Sequence, residues 1–260
     1  MRVLVKLGGT LLEESGPRAA LCAQLAAVAS KHALVVVHGG GKQVTKYLEE
    51  RGVQSKFVNG LRVSDAAVIE AVTTVIAGTV NQQLVASLVA AGLRAVGLSG
   101  IDGPLTVAEQ LSPDLGYVGR PVRTDGKLLE ILAGAGYVPA IACVAADKTG
   151  QIFNVNADQM AVSCAADWHA DMLLFLTDVP GVKGGDGAVM SRLTTNDSRA
   201  LIQSGIAHGG MQAKLEAAEM AIERGVKEVV IASGREADVC ARVLAGQSLG
   251  TRIHAMEEVA

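Results

Sequence analysis

A chain of 260 residues, 50% of them hydrophobic, can bury a large core as one α/β domain or as two fused lobes. Its net charge of −3 and its 3% of aromatic residues argue against nucleic acid as the main ligand. The most apolar stretch, residues 84–98, is interrupted by polar residues and glycine before it reaches the roughly 18 residues of a membrane span. The N-terminus lacks a secretory cleavage pattern. We therefore expect a cytoplasmic protein that acts on a small molecule, without a membrane or nucleic-acid partner.

Short apolar runs alternate with segments of helical spacing along the chain. Runs bounded by glycine, proline or polar residues are typical of strands that are buried on both faces of a parallel sheet. Strands are predicted at residues 3–7, 34–37, 95–98, 138–142, 172–176 and 229–232. Helices are predicted at residues 19–30, 43–51, 66–89, 126–135, 157–168 and 211–224. The alternation predicts an α/β sandwich with a mainly parallel sheet between two helical layers.

The segments between these elements predict turns. Asn59-Gly60, between two apolar runs, is typical of a two-residue hairpin that projects from the sheet. Residues 147–151 predict a second turn, and residues 114–125 are rich in turn residues and are expected to cover a sheet edge. A glycine-rich stretch after residue 177 offers a division into two lobes, although no linker marks it. The four cysteines lie far apart, and we expect them to be reduced and buried.

Two glycine clusters each follow a predicted strand. They are Gly8-Gly9, after the first strand, and Gly39-Gly40-Gly41, after the second. Glycine at the carboxyl end of a parallel strand lets backbone N–H groups approach a phosphate, although a tight turn also uses glycine. Neither cluster matches a P-loop, and no G-x-G-x-x-G is present. The two clusters together favour a site for an anionic ligand.

Two lysines are candidate phosphate ligands. Lys6 interrupts the apolar first strand, and its alternative role is an edge-strand lysine that reaches solvent. Lys214 lies just inside a helix that begins near Gly209-Gly210, and by itself it would be an ordinary solvated lysine. Together the two lysines predict a phosphate clamp. Asp158 is well placed to hold both ammonium groups, and Asn156 can cap the helix that carries Asp158.

These residues together resemble the amino-acid kinase family. The motifs that carry the resemblance are Lys6-Leu7-Gly8-Gly9, His38-Gly39-Gly40-Gly41, Asn59-Gly60-Leu61-Arg62-Val63, Asn154-Val155-Asn156-Ala157-Asp158, Thr177-Asp178-Val179-Pro180-Gly181-Val182 and Gly210-Met211 with Lys214. The resemblance implies a three-layer α/β/α sandwich around a mainly parallel sheet of about eight strands. It also implies an acceptor lobe at residues 1–176 and an ATP lobe at residues 177–260.

The same resemblance implies roles for individual residues. Lys6 and Lys214 would stabilise the transferring phosphoryl group, with Gly9 beside its path and Asp158 orienting the two lysines. The acylated amino acid would be bound by Gly40, Gly41, Arg62 and Asn154. The nucleotide, ATP with Mg²⁺, would be bound by Thr177, Asp178, Val179, Pro180, Gly181, Val182, Ile206, Ala207 and His208. No protein metal ligands are expected, because phosphates and water would hold the magnesium ion.

The implied reaction is transfer of a phosphoryl group from ATP to the side-chain carboxylate of N-acetyl-L-glutamate, a step of arginine biosynthesis. Such a carboxylate has a reference pKa of about 4.3 and is ionised at neutral pH, so it needs no general base. Two alternatives stay open. One is a sister kinase for N-succinylglutamate or a carrier-linked aminoadipate, and the other is a non-catalytic sensor of amino acids or nucleotides.

The resemblance also leads to an expectation about assembly. Hexameric, arginine-inhibited members of the family carry an extra helix before the first strand, whereas the strand here begins at Arg2. The resemblance therefore implies an arginine-insensitive homodimer. We expect the contact within residues 66–89, because their apolar pattern is wider than one buried face requires.

Overall fold

The computed structural model describes residues 1–255, so the last five residues of the expected ATP lobe lie outside the described residues. The strands are β1 (Arg2–Leu7), β2 (Ala33–His38), β3 (Phe57–Val58), β4 (Leu61–Arg62), β5 (Ala95–Ser99), β6 (Thr106–Gln110), β7 (Val118–Thr124), β8 (Val138–Ala142), β9 (Val144–Ala146), β10 (Ile152–Val155), β11 (Met172–Thr177), β12 (Arg192–Thr194), β13 (Glu228–Ser233) and β14 (Thr251–His254). The helices are α1 (Ser15–Ala29), α2 (Gly41–Glu49), α3 (Ala66–Val72), α4 (Asn81–Ala90), α5 (Gly126–Gly134), α6 (Ala157–Asp167), α7 (Thr195–Gln203), α8 (Gly209–Glu223) and α9 (Val239–Leu244).

Eight strands form one sheet in the order β12-β14-β13-β11-β1-β2-β8-β5. Every neighbouring pair is parallel except β13 with β14. Helix α1 packs against both α4 and α9, and α6 packs with α8 and against β1. The predicted α/β fold with a mainly parallel sheet is confirmed: all six apolar runs are strands of this sheet, five of them buried inside it and β5 at its edge.

A second, smaller assembly was not predicted. Strands β6, β7, β9 and β10 form a small closed barrel beside the main sheet. The expectation that residues 114–125 form turns over an edge was therefore wrong for β7. The barrel is tied to α6 by buried hydroxyls, since Thr124 Oγ1 lies 3.0 Å from Thr106 Oγ1 and 2.8 Å from Ser163 Oγ.

The predicted hairpin is confirmed. Strands β3 and β4 pair in antiparallel fashion across Asn59 and Gly60, whose φ angles are 49° and 78°. Two successive positive φ values are what a two-residue hairpin turn requires, and asparagine and glycine tolerate them best. The hairpin forms a sheet of its own, and Phe57 is 54% exposed on it.

One long helix differs from expectation in its regularity. Helices α3 and α4 are joined by a π-helical segment, Thr73–Val80, into a continuous helix of 25 residues, Ala66–Ala90. By length and composition alone this helix could cross a membrane. The sequence pattern indicates residues 84–98 as the most apolar stretch, and an apolar segment of this length is not expected from it. Core helices pass the same test, and Leu84 and Leu88 on this helix are fully buried in the core. Of the most apolar stretch of this helix 39% is buried inside the protein, so core packing accounts for part of its apolar character.

Candidate active site

Lys6, Asp158 and Lys214 meet at the carboxyl ends of the central strands. Lys6 is the next-to-last residue of β1, and its Nζ lies 2.6 Å from Asp158 Oδ1. Lys214 Nζ, from the second turn of α8, lies 3.4 Å from Asp158 Oδ2. Lys6 and Asp158 are 8% and 7% exposed. One carboxylate therefore separates and orients two ammonium groups in a desolvated place, as the sequence predicted for these three residues.

The cap of α6 fixes the position of Asp158. Asn156 accepts hydrogen bonds from the backbone N–H groups of Asp158 and Gln159, and so begins the helix. Burial raises the pKa of the Asp158 carboxyl, but the charges of Lys6 and Lys214 together lower it by more. Its net pKa lies below the ordinary value of 3.8, and Asp158 is an anion at neutral pH.

The two glycine turns approach each other next to this triad. Gly8 N donates to Leu176 O at 2.9 Å, which ties the first turn to β11. Gln43 Nε2, from the first turn of α2, donates to Gly9 O at 3.1 Å. A Cβ on Gly9 would lie 3.7 Å from the backbone N of Gly40. The sequence predicted both turns, and the fold brings them to one edge of the sheet because β1 and β2 are parallel neighbours.

A cavity of about 160 Å³ opens beside the second turn. Its walls include all four predicted acceptor residues: Gly40, Gly41, Arg62 and Asn154. Asn154 Nδ2 donates to Ser64 Oγ at 3.1 Å, so its amide is held by a buried hydroxyl. Apolar side chains such as Ile76 complete the wall. The cavity combines hydrogen-bonding groups with an apolar surface, as a small acylated amino acid requires.

The Arg62 guanidinium is already partly engaged. Its Nη2 donates to Gly41 O at 2.7 Å and to Thr45 Oγ1 at 2.8 Å, and its Nη1 donates to Ser55 Oγ. The carbon of the guanidinium lies 4.7 Å from the centre of the Phe57 ring. Three of the five guanidinium N–H groups therefore have partners, and the Nε hydrogen and the second Nη1 hydrogen stay available to a carboxylate in this arrangement.

A larger cavity of about 480 Å³ also borders the hairpin. It is lined by Asp158 and Lys214, and it shares Gly60, Leu61 and Asn156 with the smaller cavity. The two cavities therefore share part of their walls; the smaller lies beside the acceptor residues and the larger beside Asp158 and Lys214.

The predicted nucleotide segments lie after β11 and before α8. Thr177 is buried at the end of β11, and its Oγ1 donates to Asp178 Oδ1 at 3.1 Å. Val179 is 36% and Ile206 42% exposed, which leaves two apolar side chains on the surface near the carboxyl edge of the sheet. The loop that follows residues 177–182 reaches residues 206–208, because a Cβ on Gly185 would lie 3.4 Å from Ile206 Cδ1.

The remaining predicted nucleotide residues differ in accessibility. Gly181 and Val182 are buried, as is Ala207, whereas Pro180 and His208 are exposed. Val182 N donates to Thr251 Oγ1 at 2.8 Å, so this part of the loop is anchored to β14. The buried residues can shape the loop, and the exposed residues are the ones that a nucleotide could contact.

Three residues near the site were not predicted. Gln43 holds Gly9, Ser64 holds Asn154, and Cys143 lines the smaller cavity. Burial raises the pKa of the Cys143 thiol to about 12, so it is neutral and is not a nucleophile. Polar residues at the ends of predicted elements were the available signal for Gln43 and Ser64, but such residues are common at helix starts.

Within residues 1–255, no group of three or more His, Cys, Asp or Glu side chains could hold a metal ion. The Asp158 carboxylate, the acidic group nearest the lysines, already pairs with both of them.

The sequence signature of the Amino acid kinase family matches residues 1–233. The acetylglutamate kinase of Solibacter usitatus is 54% identical over 254 residues, covering 97% of this chain and 99% of that protein. The acetylglutamate kinase of Acidobacterium capsulatum is 44% identical over 243 residues, covering 92% of this chain and 93% of that protein.

A solved structure shows the same fold. The N-acetylglutamate synthase of Neisseria gonorrhoeae, in complex with coenzyme A and N-acetyl-glutamate, superimposes on 100% of this chain with a TM-score of 0.90 and 24% identity. This chain spans 60% of that synthase chain, and the likeness concerns the fold alone. The family signature and the two kinases together lead to one conclusion: this chain belongs to the amino acid kinase family.

Proposed function

We propose that this chain transfers the γ-phosphoryl group of ATP to the side-chain carboxylate of N-acetyl-L-glutamate, which forms N-acetyl-L-glutamyl 5-phosphate in arginine biosynthesis. The observation that carries the proposal is the triad of buried Lys6 and Asp158 with partly buried Lys214, next to a small cavity with four acceptor residues. The relatives named acetylglutamate kinase, at up to 54% identity, support this substrate. A kinase of this family uses ATP, and we propose that it uses it with Mg²⁺.

The proposed chemistry depends on charge rather than on a base. The acceptor carboxylate is ionised, so the barrier is the approach of one anion to another. Lys6 and Lys214 neutralise charge on the phosphoryl oxygens, while Asp158 keeps the two ammonium groups apart. Backbone N–H groups of the turns at Gly9 and Gly40 would complete the positive surroundings. The magnesium ion would supply further neutralisation of the phosphate charge.

The two lobes have separate roles in this proposal. Residues 1–176 would hold the acceptor through Gly40, Gly41, Arg62 and Asn154. Residues 177–260 would hold the nucleotide, with the exposed Val179 and Ile206 against its base and ribose. The single eight-stranded sheet runs through both lobes, so we expect them to move little relative to each other.

The decisive experiment is a coupled ADP-release assay with purified protein. The acceptors are N-acetyl-L-glutamate, N-succinylglutamate, aspartate and aminoadipate, each at several concentrations. The proposal requires N-acetyl-L-glutamate to have the highest kcat/KM. A preference for N-succinylglutamate or aminoadipate would make the chain a sister kinase, and nucleotide binding without turnover of any acceptor would make it a sensor.

Arg62→Lys is expected to raise KM for N-acetyl-L-glutamate by about tenfold, equivalent to 1.4 kcal/mol, and to leave KM for ATP unchanged. Lysine keeps the charge but loses the planar fork that reaches Gly41 O, Thr45 and a substrate carboxylate together. Steady-state kinetics with each substrate varied in turn checks this prediction. The matched control is Arg51→Lys, because Arg51 stacks on Tyr47 outside the cavity and should leave both KM values intact. A rise confined to ATP would contradict the assignment.

We also propose that the protein is a cytoplasmic homodimer. Strand β5 is the last strand on its side of the main sheet, so its outer backbone groups can pair with the β5 strand of a second copy about a two-fold axis. The neighbouring helix α4 exposes Val89, which is 53% accessible. A second copy would cover both features.

Light scattering should therefore give twice the 26.7 kDa chain mass. Val89→Glu should weaken the dimer, because a carboxylate is costly to bury in the contact. Ile131→Glu in α5, where the isoleucine is 57% exposed, is the control and should remain dimeric. A wild-type monomer, or equal effects of the two variants, would count against this interface.

A further inference from the structure

His38 is a buried histidine that the proposed chemistry does not use. It is the last residue of β2, it is fully buried, and it stands directly before the second glycine turn. Its Nδ1 lies 2.9 Å from Gly39 O, and its Nε2 lies 2.9 Å from Nδ2 of Asn81, the first residue of α4. Both ring nitrogens therefore have a defined partner.

The partners of Asn81 decide which nitrogen of His38 carries the proton. Asn81 Nδ2 also lies 2.8 Å from Ala140 O, and a carbonyl oxygen only accepts hydrogen bonds. The amide nitrogen, and not the amide oxygen, must therefore face Ala140, and its second hydrogen points at His38 Nε2. Nε2 is then the acceptor, so the proton of the neutral ring is on Nδ1 and is donated to Gly39 O.

The surroundings keep this arrangement in place. A Cβ at Gly97 in β5 would overlap Asn81 Oδ1, so only a glycine at this position leaves room for the amide. Burial lowers the pKa of His38 to about 4, although the hydrogen bond with Gly39 opposes the shift. A proton on Nε2 would also face the Asn81 amide hydrogens. The ring therefore stays neutral at physiological pH.

The hydrogen bond with Gly39 O has a consequence for the site. A trans peptide group is planar, and its C=O and N–H point in opposite directions. No cis peptide occurs among the described residues. Holding the Gly39 carbonyl towards His38 in the core therefore directs the Gly40 N–H away from the core. The backbone N of Gly40 lies close to Gly9, on the side of the first glycine turn.

We propose that His38 and Asn81 are positioning residues, which lock the Gly39–Gly40 peptide so that the Gly40 N–H faces the acceptor carboxylate. This inference rests on the proposed function for the identity of the acceptor. The arrangement of the peptide itself rests only on the contacts of His38, Asn81 and Ala140. Without the lock, the peptide can rotate and turn a carbonyl oxygen towards an anionic substrate.

Two substitutions test the roles of the two imidazole nitrogens of His38 separately. His38→Asn places an amide nitrogen near the Nδ1 position, where it can still donate to Gly39 O. His38→Gln places its amide near the Nε2 position, where it can contact Asn81 but cannot anchor Gly39. We expect His38→Gln to lower kcat/KM for N-acetyl-L-glutamate roughly tenfold, about the value of one hydrogen bond, through a higher KM for this substrate. His38→Asn should restore most of that loss, and KM for ATP should not change in either variant.

Thr124→Val is the control for a merely structural role, because it also removes buried hydrogen bonds, at a site away from the cavities. It should lower Tm without changing KM for the acceptor. Equal kinetic losses in His38→Asn and His38→Gln, or losses in Tm alone for all three variants, would overturn the proposal.

Nitrogen NMR of the wild-type histidines provides a readout that does not depend on turnover. It should show a neutral His38 ring protonated on Nδ1 at neutral pH. In Asn81→Ala the proton should no longer prefer Nδ1 over Nε2. A ring protonated on Nε2 in the wild type would overturn the inference even if the enzyme phosphorylates N-acetyl-L-glutamate. Failure to phosphorylate N-acetyl-L-glutamate with the Nδ1 form present would instead count against the proposed function alone.

Discussion

Lys6→Ala and Lys214→Ala are each expected to lower kcat by about 10²-fold or more, as the loss of one preorganised donor to a developing anion does. The two ammonium groups are held by the same carboxylate, with Nζ to oxygen distances of 2.6 and 3.4 Å, so they are in place before the reaction begins. KM for either substrate should change much less than kcat, because charge on the transferring group grows in the transition state.

The kinetic comparison needs a lysine outside the site and a measure of folding. Lys227→Ala is suitable, because the Lys227 side chain is 76% exposed and pairs with Asp171 on the surface. Each kcat is normalised to the folded fraction measured by circular dichroism. In Lys6→Ala the remaining Lys214 still pairs with Asp158, so the chain should fold. Near-normal kcat in both single variants would rule out the mechanism with two lysines.

Asp158→Asn is expected to have the largest effect on stability. Asp158 is 7% exposed and neutralises two lysines, one of them equally buried. Removing its charge leaves two ammonium groups close together with no counter-charge, and breaking such a buried pair costs about 3–5 kcal/mol of the free energy of unfolding. Asp171→Asn is the control, because its partner Lys227 is exposed and such a surface pair contributes less than about 1 kcal/mol.

The pH dependence of the same variant gives an independent check. The pKa of Asp158 in the folded protein lies below its ordinary value of 3.8, so the unfolded chain binds a proton at this residue first. The stability that its charge contributes is therefore present above pH 3.8 and is lost as the pH falls through the lower folded value. Urea unfolding at pH 6 and at several values below 3.8 should show the gap between wild type and Asp158→Asn narrowing on acidification. A gap that is independent of pH would show that the charge of Asp158 is not responsible.

The sequence could not reveal which residues hold the binding and catalytic groups in position. Cys143 and Asn81 are ordinary residues in their own segments, and no local pattern distinguishes them. Asn81 becomes informative only when α4 lies over β5 and brings its amide to the last residue of β2. The engagement of Arg62 with Thr45 and Ser55 is likewise a contact between separate elements.

The sequence by itself determined the central strands, the Asn59-Gly60 hairpin and the glycine turns, because each depends on neighbours within a few residues. Buried parallel strands must be continuously apolar, and a two-residue hairpin needs residues that tolerate a positive φ. Only the tertiary structure decided the small barrel, the strand order and the distances at which Lys6 and Lys214 contact Asp158. Short strands such as β9 carry too few residues to specify a partner, and Asp158 and Lys214 are 56 positions apart in the chain. Such contacts form because one core brings distant segments together, and this information is spread over the whole chain rather than stored in any one motif.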